Sequence, residues 1–159
     1  MSTARLEDPR VPVKVQLSAL WASVMFCYVY GDYFELHVPG KLQDMLQGKM
    51  GEIGTVSQQL LVATSFVMLL PSLMIFLSLA LPAAISRWLN IGAGVLFTLL
   101  VLATLAGGGW VFYMLLAVVE AMLTSLVVWH AWRWPRCSDA ASDRHMDPIA
   151  AACGHADAR

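Results

Sequence analysis

Between Trp110 and Trp134 the chain reads WVFYMLLAVVEAMLTSLVVWHAWRW, a run of about 25 residues with one carboxylate, Glu120, near its midpoint. A helix of that length spans roughly 37 Å at 1.5 Å per residue, enough to cross a hydrocarbon layer of about 30 Å with some tilt. Glu120 would then lie near mid-bilayer. There an acidic side chain costs on the order of 2.5 to 3.5 kcal/mol, which the surrounding Leu, Val and Phe residues offset at about 0.3 to 0.6 each. A carboxylate held at that depth is the default candidate for a functional site.

Three more runs repeat the pattern. Residues 15–38 form an apolar segment that is too long for a signal-peptide core and ends in YVYGDYFEL, where a signal peptidase would need small residues, so it is expected to remain as a helix. The second run, 56–81, contains Pro71; neighbouring groups can satisfy the carbonyl a proline frees, so a kinked helix is expected and a break is not. The third, 89–106, follows a tight connection over 82–88 and is joined to the last run, 110–134, by Gly107 to Gly109, so these two helices should form an antiparallel hairpin. With 58% hydrophobic residues, 13% charged and a mean hydropathy of +0.65, the composition agrees. The expected fold is all-α, a polytopic membrane protein with a four-transmembrane-helix bundle over residues 15–135.

His37, Pro39 and Gly40 close the first helix, and KLQDMLQGKMGEIG follows, where Leu42, Met45, Leu46 and Met50 recur at helical spacing. A short interfacial helix is expected there, either a lid or a loop packed at the membrane surface. Residues 1–14 read as a cytoplasmic arm. Residues 136–159, rich in Ala, Asp, Ser and Arg without periodicity, read as a disordered cytoplasmic tail. The tail holds Cys137, His145, Cys153 and His155, whose spacing matches no zinc pattern, and no metal or other cofactor is expected. His37 and His130 fall near opposite membrane faces, too far apart to share a metal or a haem.

Orientation follows from the cations. Arg5, Arg10, Lys14, Arg87, Arg133, Arg136, Arg144 and Arg159 fall on one side of the helices and only Lys41 and Lys49 on the other, which places both termini in the cytoplasm of a cell with an inner membrane. Trp88, Trp129, Trp132 and Trp134 at one face, and Trp110 with Tyr33 and Phe34 at the other, have the positions of interfacial belts.

Two sets of residues are candidates for a role. Ala19, Ser23, Cys27 and Gly31, at steps of four, make a small-residue stripe that would let another helix approach, with the face of the last helix carrying Ala117, Ala121 and Ser125 as its expected partner. The first and last helices run antiparallel, so depth can be counted on each: Asp32 and Tyr113 share one layer, Tyr28 and Glu120 the next. If the helices are neighbours, each carboxyl can receive a phenolic hydrogen bond. Hydrocarbon disfavours the charged form of a carboxyl, so Glu120 is expected to be neutral unless a cation or water lies beside it. Two readings stay open: interhelical glue in a structural or assembly subunit, or proton or small-solute handling. A membrane-embedded enzyme or redox-associated subunit is the alternative to both. Expected partners are the lipid bilayer and either further copies of the chain or a larger membrane complex, with no nucleic acid.

The strings VKVQLSALW, GDYF, VPG, PSLMIFLSL, RWLNI, YMLLAVVE and VVWHAWRW, with Asp32, Pro39, Gly40, Pro71, Arg87, Trp88, Asn90 and Glu120 falling in order, resemble a family of small four-helix prokaryotic membrane proteins defined only as a domain of unknown function. The resemblance covers about residues 13 to 135. It implies a fold and no activity.

Overall fold

The structure, a computed structural model, describes residues 11–50 and 54–135. The segments read from sequence as arm and tail, including Cys137, His145, Cys153 and His155, lie wholly or largely outside the described residues. The described chain is all-α apart from one short ladder: α1 (Val13–Glu35), α2 (Lys41–Leu46), a two-residue antiparallel ladder of β1 (Lys49–Met50) with β2 (Gly54–Thr55), then α3 (Gln58–Ala80), α4 (Ala83–Gly107) and α5 (Val111–Trp132). Among the described residues, α1, α3, α4 and α5 are long and apolar enough to cross a membrane.

The four long helices alternate in direction, and side-chain contacts fix the layout. Lys14 at the start of α1 reaches Leu79 and Leu81 at the end of α3, and Arg87 at the start of α4 reaches the last turn of α5. These starts and ends form one end of the bundle, here the terminal end; α2, the ladder and the α4–α5 turn form the other, the loop end. α1 packs between α3 and α5, and α4 packs extensively on α5 but only lightly on α3. The ring of helices is therefore weakest between α3 and α4.

Boundaries differ from the sequence expectation in two places. α4 begins at Ala83 and not Leu89, so 82–88 is not a connecting loop. Pro82 presets the entry to the helix, and the polar residues that interrupt the hydropathy run are satisfied inside the bundle: Ser86 is buried against α3, and Arg87 extends to α5. The interfacial helix ends at Leu46 and does not extend through Met50. Gly48 takes φ +73°, which ends the helical path. No residue of α2 is buried and Leu46 is 81% exposed, so α2 lies outside the core of the bundle.

The core sits toward the terminal end, where Leu17, Trp21, Met74, Phe97, Val127 and Ala131 cluster. α5 turns Ala117, Glu120, Thr124, Val127 and Ala131 inward, spacings of three and four that make one helical face. α4 answers with Ser86, Asn90, Gly94, Phe97 and Val101. A methyl group added at Gly94 would lie 2.7 Å from Val128 Cγ2 and 3.3 Å from the backbone oxygen of Thr124, so glycine sets the distance between the two helices.

Polar side chains tie the helices together. The Trp21 indole N–H donates to Asn90 Oδ1 at 2.7 Å, and the Asn90 amide donates to the Ser86 carbonyl at 2.8 Å. The Ser78 hydroxyl lies 3.1 Å from Asn90 Oδ1, and the Ser86 hydroxyl donates to the Ser78 carbonyl at 3.2 Å. One buried network thus joins α1, α3 and α4. Between α4 and α5 the Thr98 hydroxyl donates to Thr124 Oγ1 at 2.8 Å, and the Thr124 hydroxyl donates to the Glu120 backbone carbonyl at 2.9 Å.

A carboxyl-lined cavity between the four helices

On the loop-end side of this core the helices part around a cavity of about 230 Å³. α1 contributes Tyr28, Gly31 and Asp32 to its wall, and α5 contributes Tyr113, Leu116, Ala117 and Glu120. α3 supplies Val67 and Met68, and α4 supplies Phe97, Leu100, Val101 and Thr104. All four residues placed in two layers by depth, Tyr28, Asp32, Tyr113 and Glu120, line this one space.

Each is delivered by its helix register. Glu120 follows Ala117 by three residues on the inward face of α5, and Tyr113 lies seven before it, nearly eclipsed. On α1 the buried face continues from Leu17, Trp21 and Val24 to Gly31, and Tyr28 belongs to that line. The Tyr28 ring meets Phe97 edge-on at 6.3 Å between centroids. Asp32, one residue after Gly31, remains exposed at the rim.

The expected phenol-to-carboxyl bonds are not formed: among the described residues, neither Tyr113 with Asp32 nor Tyr28 with Glu120 makes a hydrogen bond. Sharing a layer brings the side chains to one cavity but does not aim the hydroxyls at the carboxyls. Glu120 is 7% exposed, and its carboxyl has no hydrogen-bond partner among the described residues. None of its oxygens is sealed from the cavity without a partner. It is a carboxyl withdrawn from the surface, facing a partly open cavity, with its hydrogen-bonding capacity free.

The small-residue stripe is turned differently from expectation. Ala19 and Ser23 are exposed on the bundle surface, Cys27 is half-buried and Gly31 is buried. The Ser23 hydroxyl bonds back to the Ala19 carbonyl at 3.0 Å. The helix contact is carried instead by Leu17, Trp21 and Val24, and the stripe meets α5 only at Gly31, where an added methyl group would lie 3.6 Å from Leu116. On α5, Ala117 is buried, but Ala121 is half-buried and Ser125 exposed. Ala121 and Ser125 line a shallow apolar groove of about 720 Å³ between α4 and α5, with Trp129 at one edge. That groove is larger than the cavity but no carboxylate, lysine, arginine or histidine lines it.

Sequence reasoning did not find the Trp21, Ser78 and Ser86 contacts to Asn90, nor the lining role of Phe97, Val67 and Met68. Trp21 carried a usable signal, since it lies well inside an apolar run where interfacial tryptophans do not. His37 is exposed at the loop end, its Nδ1 3.2 Å from the Tyr33 carbonyl, and His130 is half-buried in the last turn of α5. Among the described residues, no three of His, Cys, Asp and Glu gather as a metal site would need.

No curated protein and no solved structure matches the chain. A family model does match residues 10–141, which extends a little beyond both ends of the bundle, and on that match the chain belongs to a family of unknown function, DUF6326.

Proposed function

We propose that the chain is a multi-pass inner-membrane protein, with both termini cytoplasmic, that handles protons or a small solute at Glu120. One observation carries the reading: Glu120 is almost wholly buried, lines a cavity and makes no side-chain hydrogen bond among the described residues. Interhelical glue would need partners on a second helix, and in this bundle that work falls to Asn90 and to the Thr98–Thr124 pair. An unpaired carboxyl in hydrocarbon lowers stability, and such residues mark ion and proton pathways in membranes.

The orientation is supported by how the cations are used. At the terminal end Lys14 and Arg87 bind the carbonyl ends of α3 and α5, while at the loop end Lys41 pairs with Glu35 and Lys49 with Asp44. Counted among the described residues, the terminal end carries Lys14, Arg87 and Arg133 and the loop end Lys41 and Lys49, a Lys and Arg bias toward a cytoplasmic terminal end.

The test is infrared titration of the carboxyl C=O band in reconstituted protein, compared with Glu120→Gln. A band that is lost as pH rises, and is absent from the variant, is the expected result. A band unchanged by pH would overturn proton exchange at this site.

A second reading, an assembly subunit, is favoured by α3, whose residues Leu61 to Leu70 are almost all exposed, Thr64 being half-buried. Further copies of the chain or a larger membrane complex would cover that face. Co-purification with a fixed complex from mild detergent supports this reading, and migration as a lone chain opposes it.

A further inference from the structure

We propose that the cavity binds a small organic ammonium ion, with Glu120 as counter-ion and the rings of Tyr28, Phe97 and Tyr113 around its apolar part. This rests on the reading of Glu120 as a solute- or proton-handling group and names the class of solute. Charge comes first. The titratable groups lining the cavity are Tyr28 and Asp32 on α1 and Tyr113 and Glu120 on α5; α3 and α4 contribute none, and no lysine, arginine or histidine is among them. A space with two carboxyls and no cation selects positive charge. Glu120, more than nine-tenths buried and unpartnered among the described residues, offers its carboxyl oxygens to an ammonium N–H, a charge-assisted bond that low dielectric strengthens. A proton held by Glu120 in the empty site would leave to water as the ammonium enters and return as it departs.

The rest of the lining argues against a bare metal ion. Three aromatic rings meet the cavity, and an ammonium within about 6 Å of a ring face is attracted by its quadrupole. Apart from Gly31 and Thr104, the remaining wall is Val67, Met68, Leu100, Val101, Leu116 and Ala117, and the Thr104 hydroxyl already donates to the Val101 carbonyl at 2.7 Å, so this wall would cover a hydrocarbon body and offer a hard cation few oxygens. Size sets the limit: about 230 Å³ is room for about eight waters at roughly 30 Å³ each, below the ~300 Å³ at which drug-sized pockets begin. A single ring or short chain bearing one ammonium fits.

The route of entry follows from the weak α3–α4 contact. On the facing edges of those helices Val67 (44%), Met68 (37%), Leu100 (43%) and Thr104 stay open to the bundle surface, and Asp32 is exposed on α1. Pro71 also withholds the amide that would otherwise bond to the Val67 carbonyl, leaving a backbone acceptor at this rim. An amphipathic cation partitioned in the membrane reaches Glu120 through this gap with its apolar part in hydrocarbon.

Calorimetric titration of the full chain in nanodiscs tests the proposal, with benzylammonium, benzyl alcohol and benzoate as probes. Benzylammonium is expected to bind at least tenfold more tightly than benzyl alcohol, and benzoate not at all. Glu120→Gln should remove that tenfold preference. Leu100→Trp, which narrows the rim and changes no charge, should weaken benzylammonium binding by a similar factor. Equal binding of the amine and the alcohol, or no binding of either to the wild type, would overturn the ammonium site. If benzylammonium fails to bind while the Glu120 carboxyl band still titrates, the ligand class is wrong and proton handling stands; if the band is also constant, both fall.

Discussion

The Trp21 indole N–H and the Asn90 side-chain oxygen, 2.7 Å apart and fully buried, link α1 to α4 across the centre of the bundle. Asn90 also bonds Ser86 and lies within reach of Ser78, so it is the node of a three-helix network. Asn90→Leu leaves the indole and Ser78 hydroxyl without this partner, and stability in detergent is expected to fall by about 1 to 3 kcal/mol. Trp21→Phe keeps an aromatic ring against Phe97 and loses one bond, so a smaller drop, about 0.6 to 1.7 kcal/mol, is expected. Equilibrium unfolding of both variants checks the order, and a larger effect for Trp21→Phe would mean that ring volume, not the hydrogen bond, matters at this position.

At Gly94 the close approach of α5 leaves no room for a methyl group, because one obstacle is the backbone oxygen of Thr124 and another the stiff Val128 side chain. Gly94→Ala should destabilise by about 1 to 3 kcal/mol. Gly31→Ala places its methyl group at ordinary contact distance from Leu116 and should fold with wild-type stability. Thermal melts of the two variants that failed to differ would contradict this packing.

The class of fold could be read from the sequence, but the rotation of the helices could not. Four long apolar runs and a fixed rise of 1.5 Å per residue put Tyr28, Asp32, Tyr113 and Glu120 in adjacent layers, and those four share a cavity. Rotation is another matter, because lipid is as apolar as a core, and hydrophobicity cannot say which face of a membrane helix meets protein. Small residues were the available guide, yet in α1 the contact face is Leu17, Trp21 and Val24, while Ala19 and Ser23 face outward. The start of α4 was hidden for a related reason. Ser86 and Arg87 depress hydropathy, and only tertiary partners on α3 and α5 make them acceptable within a helix.

Lys14 donates to the Leu81 carbonyl at 2.6 Å, and Arg87 donates to the Ala131 carbonyl at 3.2 Å, so each cation neutralises the negative end of a neighbouring helix. Lys14→Met and Arg87→Met should each cost about 0.3 to 1 kcal/mol, or up to ~2 where the contact is partly buried. Melting temperature read at low and high salt checks the origin: the wild-type advantage should shrink with salt if it is electrostatic.

In the proposed orientation these same two cations lie on the cytoplasmic side. A reporter active only in the cytoplasm should give signal when fused after Arg159 and none when inserted at Lys49. Signal at Lys49 and none at Arg159 would invert the bundle and place the α2 end in the cytoplasm.

Glu120 separates stability from function more sharply than any other position. If its carboxyl were glue, replacing it by leucine would remove a bond between helices and leave a partner unpaired. The carboxyl has no such partner among the described residues, and its neighbours on the cavity wall include Phe97, Leu116 and Ala117. Its oxygens stay open to the cavity, so Glu120→Leu should match or exceed wild-type stability, by less than the roughly 1 to 3 kcal/mol of a polar group sealed without a hydrogen bond. Glu120→Gln, which keeps the shape and an unbonded polar end, should stay near wild type in stability. Both variants should abolish proton exchange in the infrared titration. Equilibrium unfolding in detergent measures the first half of this prediction directly, and a Glu120→Leu variant less stable than Glu120→Gln would return the carboxyl to a structural role.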